Sequence, residues 1–188
     1  MAALFAHSRL ETCRSTIQLA LDNQEALEQL DAILAALEEG QYRERLAITG
    51  GQSVGGHVRH CLEFYQCFFA GWSRKYVDYA RRPRDPQVET DCTTARRVLR
   101  QMVGQLKRFS AGEVVLFVVP EDAGKTNEDS TPLGSTTTRE LEFLKSHTVH
   151  HCALIALLLR LQGVDPGASF GVAASTLRYR QQEAACAR

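Results

Sequence analysis

The sequence carries no surplus of charge: 22 basic residues stand against 22 acidic ones, a formal net charge of zero. A chain without an overall field has no long-range attraction for nucleic acid, and no nucleic-acid-reading motif appears in it either. No nucleic-acid partner is expected. Apolar residues nowhere run for the roughly 20 positions that cross a bilayer. The longest candidate, Cys152–Leu159, is far too short, so no membrane partner is expected. Met1–Arg9 lacks a basic start and a long apolar stretch, which argues against a secretory signal. None of the six cysteines (Cys13, Cys61, Cys67, Cys92, Cys152 and Cys186) belongs to a CxxC pair. Several sit in apolar helical patterns, so reduced thiols and a cytoplasmic location are the expectation. Internal repeats and low-complexity tracts are also missing.

What remains is an ordinary globular balance, 44% hydrophobic and 23% charged over 188 residues, enough for one domain with a real core. Leu10–Leu37 reads as a helix, with Leu19, Leu27, Leu30, Leu34 and Leu37 at helical spacing and a weak point near Asp22-Asn23. Tyr42–Ile48 reads as a connector and Gly50-Gly51 as a turn. Ser53 is a candidate N-cap for a second helix that runs to about Trp72. Its apolar residues cover most of the circumference, which predicts central burial.

Val77–Glu89, with two prolines and many charges, reads as a long loop. Its cluster Arg81, Arg82 and Arg84 is expected to be solvated. Asp91 or Thr93 can cap a third helix reaching about Phe109. Glu113–Val119 is β-branched and reads as a strand, which the polar stretch from Gly124 to Pro132 can turn into a short hairpin. A last long helix spans Ser135–Gln162, capped by Ser135 or a neighbouring threonine and stopped by Gly163 and Pro166. In the remaining tail Phe170 and Val172 can dock, and residues 180–188 are open to disorder. The expected fold is a single all-α domain over 1–188. It is an antiparallel four-helix bundle with a short β-hairpin before the last core helix.

The chemistry concentrates in histidine. Five of the six histidines fall in two groups: His57 and His60 on the second helix, and His147, His150 and His151 on the last. His147 and His151 are one helical turn apart and point the same way, so they can grip one ion, with a third imidazole from a facing helix. Spacing alone leaves the bland alternative open: each imidazole can be a core side chain bonded to a carbonyl. The last helix lacks the HExxH pattern, because Thr148 follows His147 where glutamate is required. Gly50-Gly51 and Gly55-Gly56 do not make a P-loop, since His57 comes next in place of Lys-Ser/Thr. They read as turn and helix-start flexibility.

Two stretches resemble a known family. Ser53-Val-Gly-Gly-His-Val-Arg-His60 is similar to the start of the second helix of DinB-like proteins, and Arg139-Glu-Leu-Glu-Phe-Leu-Lys-Ser-His-Thr-Val-His-His151 to their last core helix. Val77–Asp91 and the run Phe170–Arg180 resemble a DinB-like subgroup as well. The resemblance implies a four-helix bundle with a three-histidine site for zinc, nickel or iron. It matches the family's first ligand to His60 and its paired ligands to His147 and His151. His57 is then a fourth ligand or a group behind a ligand. The family also implies a metal-dependent enzyme that activates a low-molecular-weight thiol as thiolate against an electrophile, as thiol S-transferases do. A hydrolase using metal-bound water and a non-catalytic metal-binding module are the alternatives. The first helix offers a face for a homodimer. No general acid or base stands out: Asp85 and Glu89 read as surface charges, Cys61 and Cys152 as packing thiols, and Tyr65 and Tyr79 as core residues.

Overall fold

The computed structural model describes residues 2–121 and 131–186, with side chains described for residues 16–121 and 131–185. Four long helices carry the core: α1 (Ala2–Ala35), α3 (Val54–Trp72), α5 (Cys92–Lys107) and α6 (Thr137–Leu161). α1 packs on α5 and α6, and α3 packs on the same two, so the four close a ring. The periodicities read from the sequence are the ones buried. Leu27, Leu30 and Leu34 line α1, and Val58, Leu62, Tyr65 and Phe68 line α3. Leu99, Met102 and Leu106 line α5, while Leu141, Leu144, Ile155 and Leu159 line α6. Each such side chain removed from water contributes about 1.5–3 kcal/mol.

The helix starts follow local capping chemistry. Ser53 Oγ accepts from the Gly56 amide at 3.1 Å, satisfying a donor that the first turn of α3 leaves free. Asp91 does the same for α5 through the amides of Thr93 and Thr94. Thr136 caps α6 by accepting from the Arg139 amide. Before α3 the chain makes a short helix α2 (Glu39–Arg43) and a 3-10 turn at Ala47–Thr49. Gly50 and Gly51 then adopt φ of 71° and 82°, the left-handed region that glycine enters without strain.

Several expectations change. α1 begins at Ala2 rather than Leu10 and is unbroken at Asp22-Asn23, because Asn23 is fully buried and its amide is hydrogen-bonded across the core. The loop expected over Val77–Glu89 contains strand β1 (Tyr76–Asp78) and a short helix α4 (Pro86–Thr90), whose N-cap is Asp85. The expected hairpin forms from β2 (Val115–Val119) and β3 (Leu133–Thr136), but β1 adds a parallel third strand, in the order β1-β2-β3. The turn foreseen around Gly124 lies outside the described residues. The fold is therefore mostly helical with a small three-stranded sheet.

After α6, Phe170 is buried against the helices as expected, and Val172 is partly buried. Gly171 sits at φ 73° with its backbone pressed on α6, where a Cβ would stand 2.5 Å from the Ala153 nitrogen. Helix α7 (Ala174–Cys186) follows, its described side chains mostly exposed.

Candidate metal centre

The seam between α3 and α6 brings the histidines together. His60 lies one turn before Phe64 on α3, and His147 one turn after Phe143 on α6, so two aromatic rings and two imidazoles share one stripe of contact. The ring centres of His60, His147 and His151 stand 4.9, 4.7 and 4.5 Å from one another, pair by pair. Each offers one ring nitrogen, and those nitrogens all lie within 4.8 Å of one another. The closest pair is His60 Nε2 and His147 Nε2, at 3.1 Å. Phe64 closes one flank, its ring centre 4.4 Å from that of His147, and Phe143 lies 5.6 Å from it.

Burial in this apolar seam disfavours the charged imidazolium. It pushes the pKa of His147 down to about 4, with His60 adding to the effect. Burial, then His147 and His60, push His151 down to about 3. His60 and His57 are lowered as well, again chiefly by burial. All four are neutral at pH 7, the state in which an imidazole nitrogen offers a lone pair.

The spacing of the donors fits a metal ion. Two nitrogens that share one ion at about 2.0–2.1 Å with a tetrahedral angle stand roughly 3.3 Å apart. The 3.1 Å between His60 and His147 is close to that separation. In addition, His147 Nδ1 is buried without a hydrogen-bond partner among the described residues. An ion at Nε2 would fix the ring hydrogen on this Nδ1, so the fit rests on the Nε2 spacing and the neutral donor set.

The remaining histidines divide. His57 touches His151, with Nδ1 to Nδ1 at 2.9 Å, and its other nitrogen lies 3.2 Å from Gln52 Oε1. His150 is exposed. A cavity of about 320 Å³ opens over His57, His60 and His151, with Arg45, Arg59 and Glu89 among its walls. Glu89 is no isolated surface charge. It pairs with Arg45 at 2.5 Å and with Arg59, and its side chain is mostly buried. Gly55 explains how it gets there: a Cβ at that position would run into the Glu89 carbonyl oxygen. The glycine serves close approach of α4 to α3, not flexibility at the helix start. Asp85 stays away from the site, capping α4, while its own amide donates to Glu63.

Arg82 overturns the expectation of a solvated cluster. Its side chain is 7% exposed, it lies over the Phe64 ring at 5.0 Å, and it pairs with Glu121 at 2.7 Å and Glu63 at 3.6 Å. Nothing in the local sequence signals this burial, because both acidic partners are remote along the chain.

Cys61 and Cys152 are buried as expected, and burial pushes both thiols up, Cys152 to about 12. Tyr65 is core, and Tyr79 is buried and donates to Glu140 at 2.8 Å. Tyr79 also lines a larger cavity of about 790 Å³, which shares the Phe64 and Phe143 rings but none of the histidines. The smaller cavity is the one that reaches the imidazoles.

No curated protein and no solved structure matches the chain. The model of the DinB family matches residues 12–182, a span that takes in most of α1, the whole of α3, α5 and α6, and both histidine groups. The resemblance carried by the two histidine segments thus extends over nearly the whole sequence, and the chain belongs to the DinB family.

Proposed function

We propose that this DinB-family chain binds one divalent metal ion, zinc, nickel or iron, through His60, His147 and His151, and acts as a metal-dependent transferase on a low-molecular-weight thiol. With this goes the reading of α1, α5, α3 and α6 as an antiparallel four-helix bundle whose α3–α6 seam holds the ion. The observation that carries the proposal is the meeting of three neutral imidazoles on that seam, two of them with Nε2 atoms 3.1 Å apart. Three neutral protein ligands are the pattern of a reactive rather than a structural centre. A divalent ion supplies Lewis acidity there, lowering the pKa of a thiol that reaches it.

The chain's own residues hold and screen the reactants. Phe64 and Phe143 keep water from the flank of His147. At the mouth, Arg45 and Arg59 both pair with Glu89, and Arg59 also lies 3.7 Å from Glu63, so polar groups of both signs meet a thiol that enters there. Both carboxylate oxygens of Glu89 are engaged by arginines, and the thiol proton passes to solvent. The reaction is a substitution. A C–S bond forms at an electrophilic carbon, that carbon's bond to its leaving group breaks with the electron pair, and no net oxidation occurs.

Elemental mass spectrometry on untagged protein tests the centre. Near-stoichiometric metal is expected in the native chain. It should be lost in His60→Ala, His147→Ala and His151→Ala while the far-ultraviolet circular dichroism stays helical. No metal after reconstitution with zinc, nickel or iron overturns the centre. Bound metal with no thiol consumed across a panel of small thiols and electrophiles keeps the ion and overturns the transferase.

A further inference from the structure

Resting on that metal centre, we propose that His57 is not a fourth ligand but a positioning residue. With Gln52 it forms a relay that fixes the tautomer of His151 and leaves His151 Nε2 bare toward the ion. Both nitrogens of His57 are already engaged, Nδ1 by His151 at 2.9 Å and Nε2 by Gln52 at 3.2 Å. A neutral imidazole has one donor and one acceptor, so a ring with two such partners has no lone pair left for a metal.

The direction of the relay follows from its far end. The Gln52 side-chain oxygen can only accept, so His57 Nε2 carries the hydrogen and His57 Nδ1 is bare. His151 Nδ1 must then donate to it, which strips the hydrogen from His151 Nε2. One amide oxygen therefore sets the protonation pattern of two rings. The backbone that carries this side chain is itself held in place. The Gln52 backbone carbonyl accepts from the Leu46 amide at 3.1 Å, and the left-handed Gly50 and Gly51 turn the chain back to make that contact. The glycine pair seen in the sequence thus serves the site by positioning Gln52, not by cradling phosphate. His147 offers the contrast: its Nδ1 has no partner among the described residues, and nothing comparable orients it.

Groups that hold a ligand imidazole from behind typically contribute 10- to 100-fold to metal affinity. The test has two arms. In the metal-free protein with ¹⁵N-labelled histidine, long-range nitrogen–proton correlation spectra report each tautomer. The relay requires His57 with its hydrogen on Nε2 and His151 with its hydrogen on Nδ1. The reverse pattern on either ring overturns it. In the second arm, zinc affinity is measured by chelator competition for the native chain, His57→Ala, Gln52→Ala and the double variant. The expected result is unchanged stoichiometry with affinity about 10- to 100-fold weaker in His57→Ala, less weakened in Gln52→Ala, and no weaker in the double variant than in His57→Ala. Cobalt(II) substituted for zinc should give the same visible absorption in His57→Ala as in the native chain. A changed spectrum means that a ligand was lost, and it overturns the proposal, as does unchanged affinity. If the native chain binds no zinc at all, the metal centre fails, and the tautomers of the metal-free protein still decide the relay.

Discussion

Two polar clusters cross the α3–α6 seam only one residue apart on α6, the first of them reaching α1 as well, and they are finished differently. The first joins Asn23, Tyr65 and Thr148, all fully buried. Asn23 donates both amide hydrogens, to the carbonyls of Leu19 and Leu141 at 2.7 and 2.9 Å, and its oxygen accepts from Tyr65 at 2.7 Å. Thr148 donates to Leu144 and lies 3.0 Å from the Tyr65 hydroxyl. Every polar side-chain atom has a protein partner. The second cluster begins at His147, next to Thr148. There imidazole faces imidazole, and His147 Nδ1 has no partner among the described residues. A closed network specifies a structure, because breaking it strands buried groups. Among the described residues the histidine cluster is closed from the side of His57 and Gln52, and the Nε2 atoms of His60 and His147 face each other at a spacing that a cation fits. Completeness of hydrogen bonding, more than burial or residue type, separates the scaffold from the site.

The largest expected effect sharpens that contrast. Zinc added to the metal-free protein at free concentrations 1,000-fold above its Kd should raise stability by about 4 kcal/mol, since it binds the folded chain alone. Thermal denaturation should show this rise in the native protein and none in the double variant His147→Ala, His151→Ala. An equal rise in both would mean that the ion binds elsewhere and that the open cluster is not its site. Next in size is Asn23→Ala. It strands the Leu141 carbonyl and the Tyr65 hydroxyl in the core, at a cost of about 2–4 kcal/mol in urea denaturation. Zinc affinity should not move. If the ion were lost together with stability, the two clusters would be one network and the distinction would break.

Much of this contrast is local and so can be read in the sequence. The one-turn spacing of His147 and His151, the Ser53 and Asp91 caps, and the leucine stripes all depend on neighbours within a turn or two. What the sequence hides is set by remote partners. Asn23 suggests a helix break by propensity alone, and only its bonds to Leu141 and Tyr65 show why it sits mid-helix. β1 is three residues long and exists because β2 pairs with it. Arg82 is charged and sits beside prolines, yet Glu63, Glu121 and the Phe64 face bury it. His57 and His60 fall on nearly the same side of α3, so periodicity cannot choose between them. The contact of His57 with Gln52 and His151, which distinguishes the two, crosses from turn to helix to helix.

The smallest expected effect is the most telling, because it asks whether the open cluster stabilises anything without its ion. His147→Leu replaces a poorly satisfied imidazole by an apolar side chain against the rings of Phe64 and Phe143. Its one polar partner, His60 Nε2, belongs to a ring that borders the open cavity, where water can replace the lost contact. Exchanging a buried polar group for an apolar one of similar size is close to neutral when no partner is stranded, so at pH 7 the metal-free variant should differ from the native chain by less than about 1 kcal/mol. The pH dependence then has a fixed sign. Burial holds His147 at about 4 in the folded chain, against 6.5 for an ordinary histidine side chain. Below 6.5 the unfolded native chain takes up a proton that the folded one refuses, so its stability falls as the pH drops toward 4. The variant lacks that loss and should become the more stable of the two by pH 5, whereas the deficit of Asn23→Ala, which involves no group titrating in that range, should be the same at pH 5 and pH 7. Urea denaturation in the presence of chelator at the two pH values measures both differences. A His147→Leu variant that is several kcal/mol weaker at pH 7 would show that the imidazoles hold the fold as the asparagine does, and the reading of one cluster as scaffold and the other as site would fail.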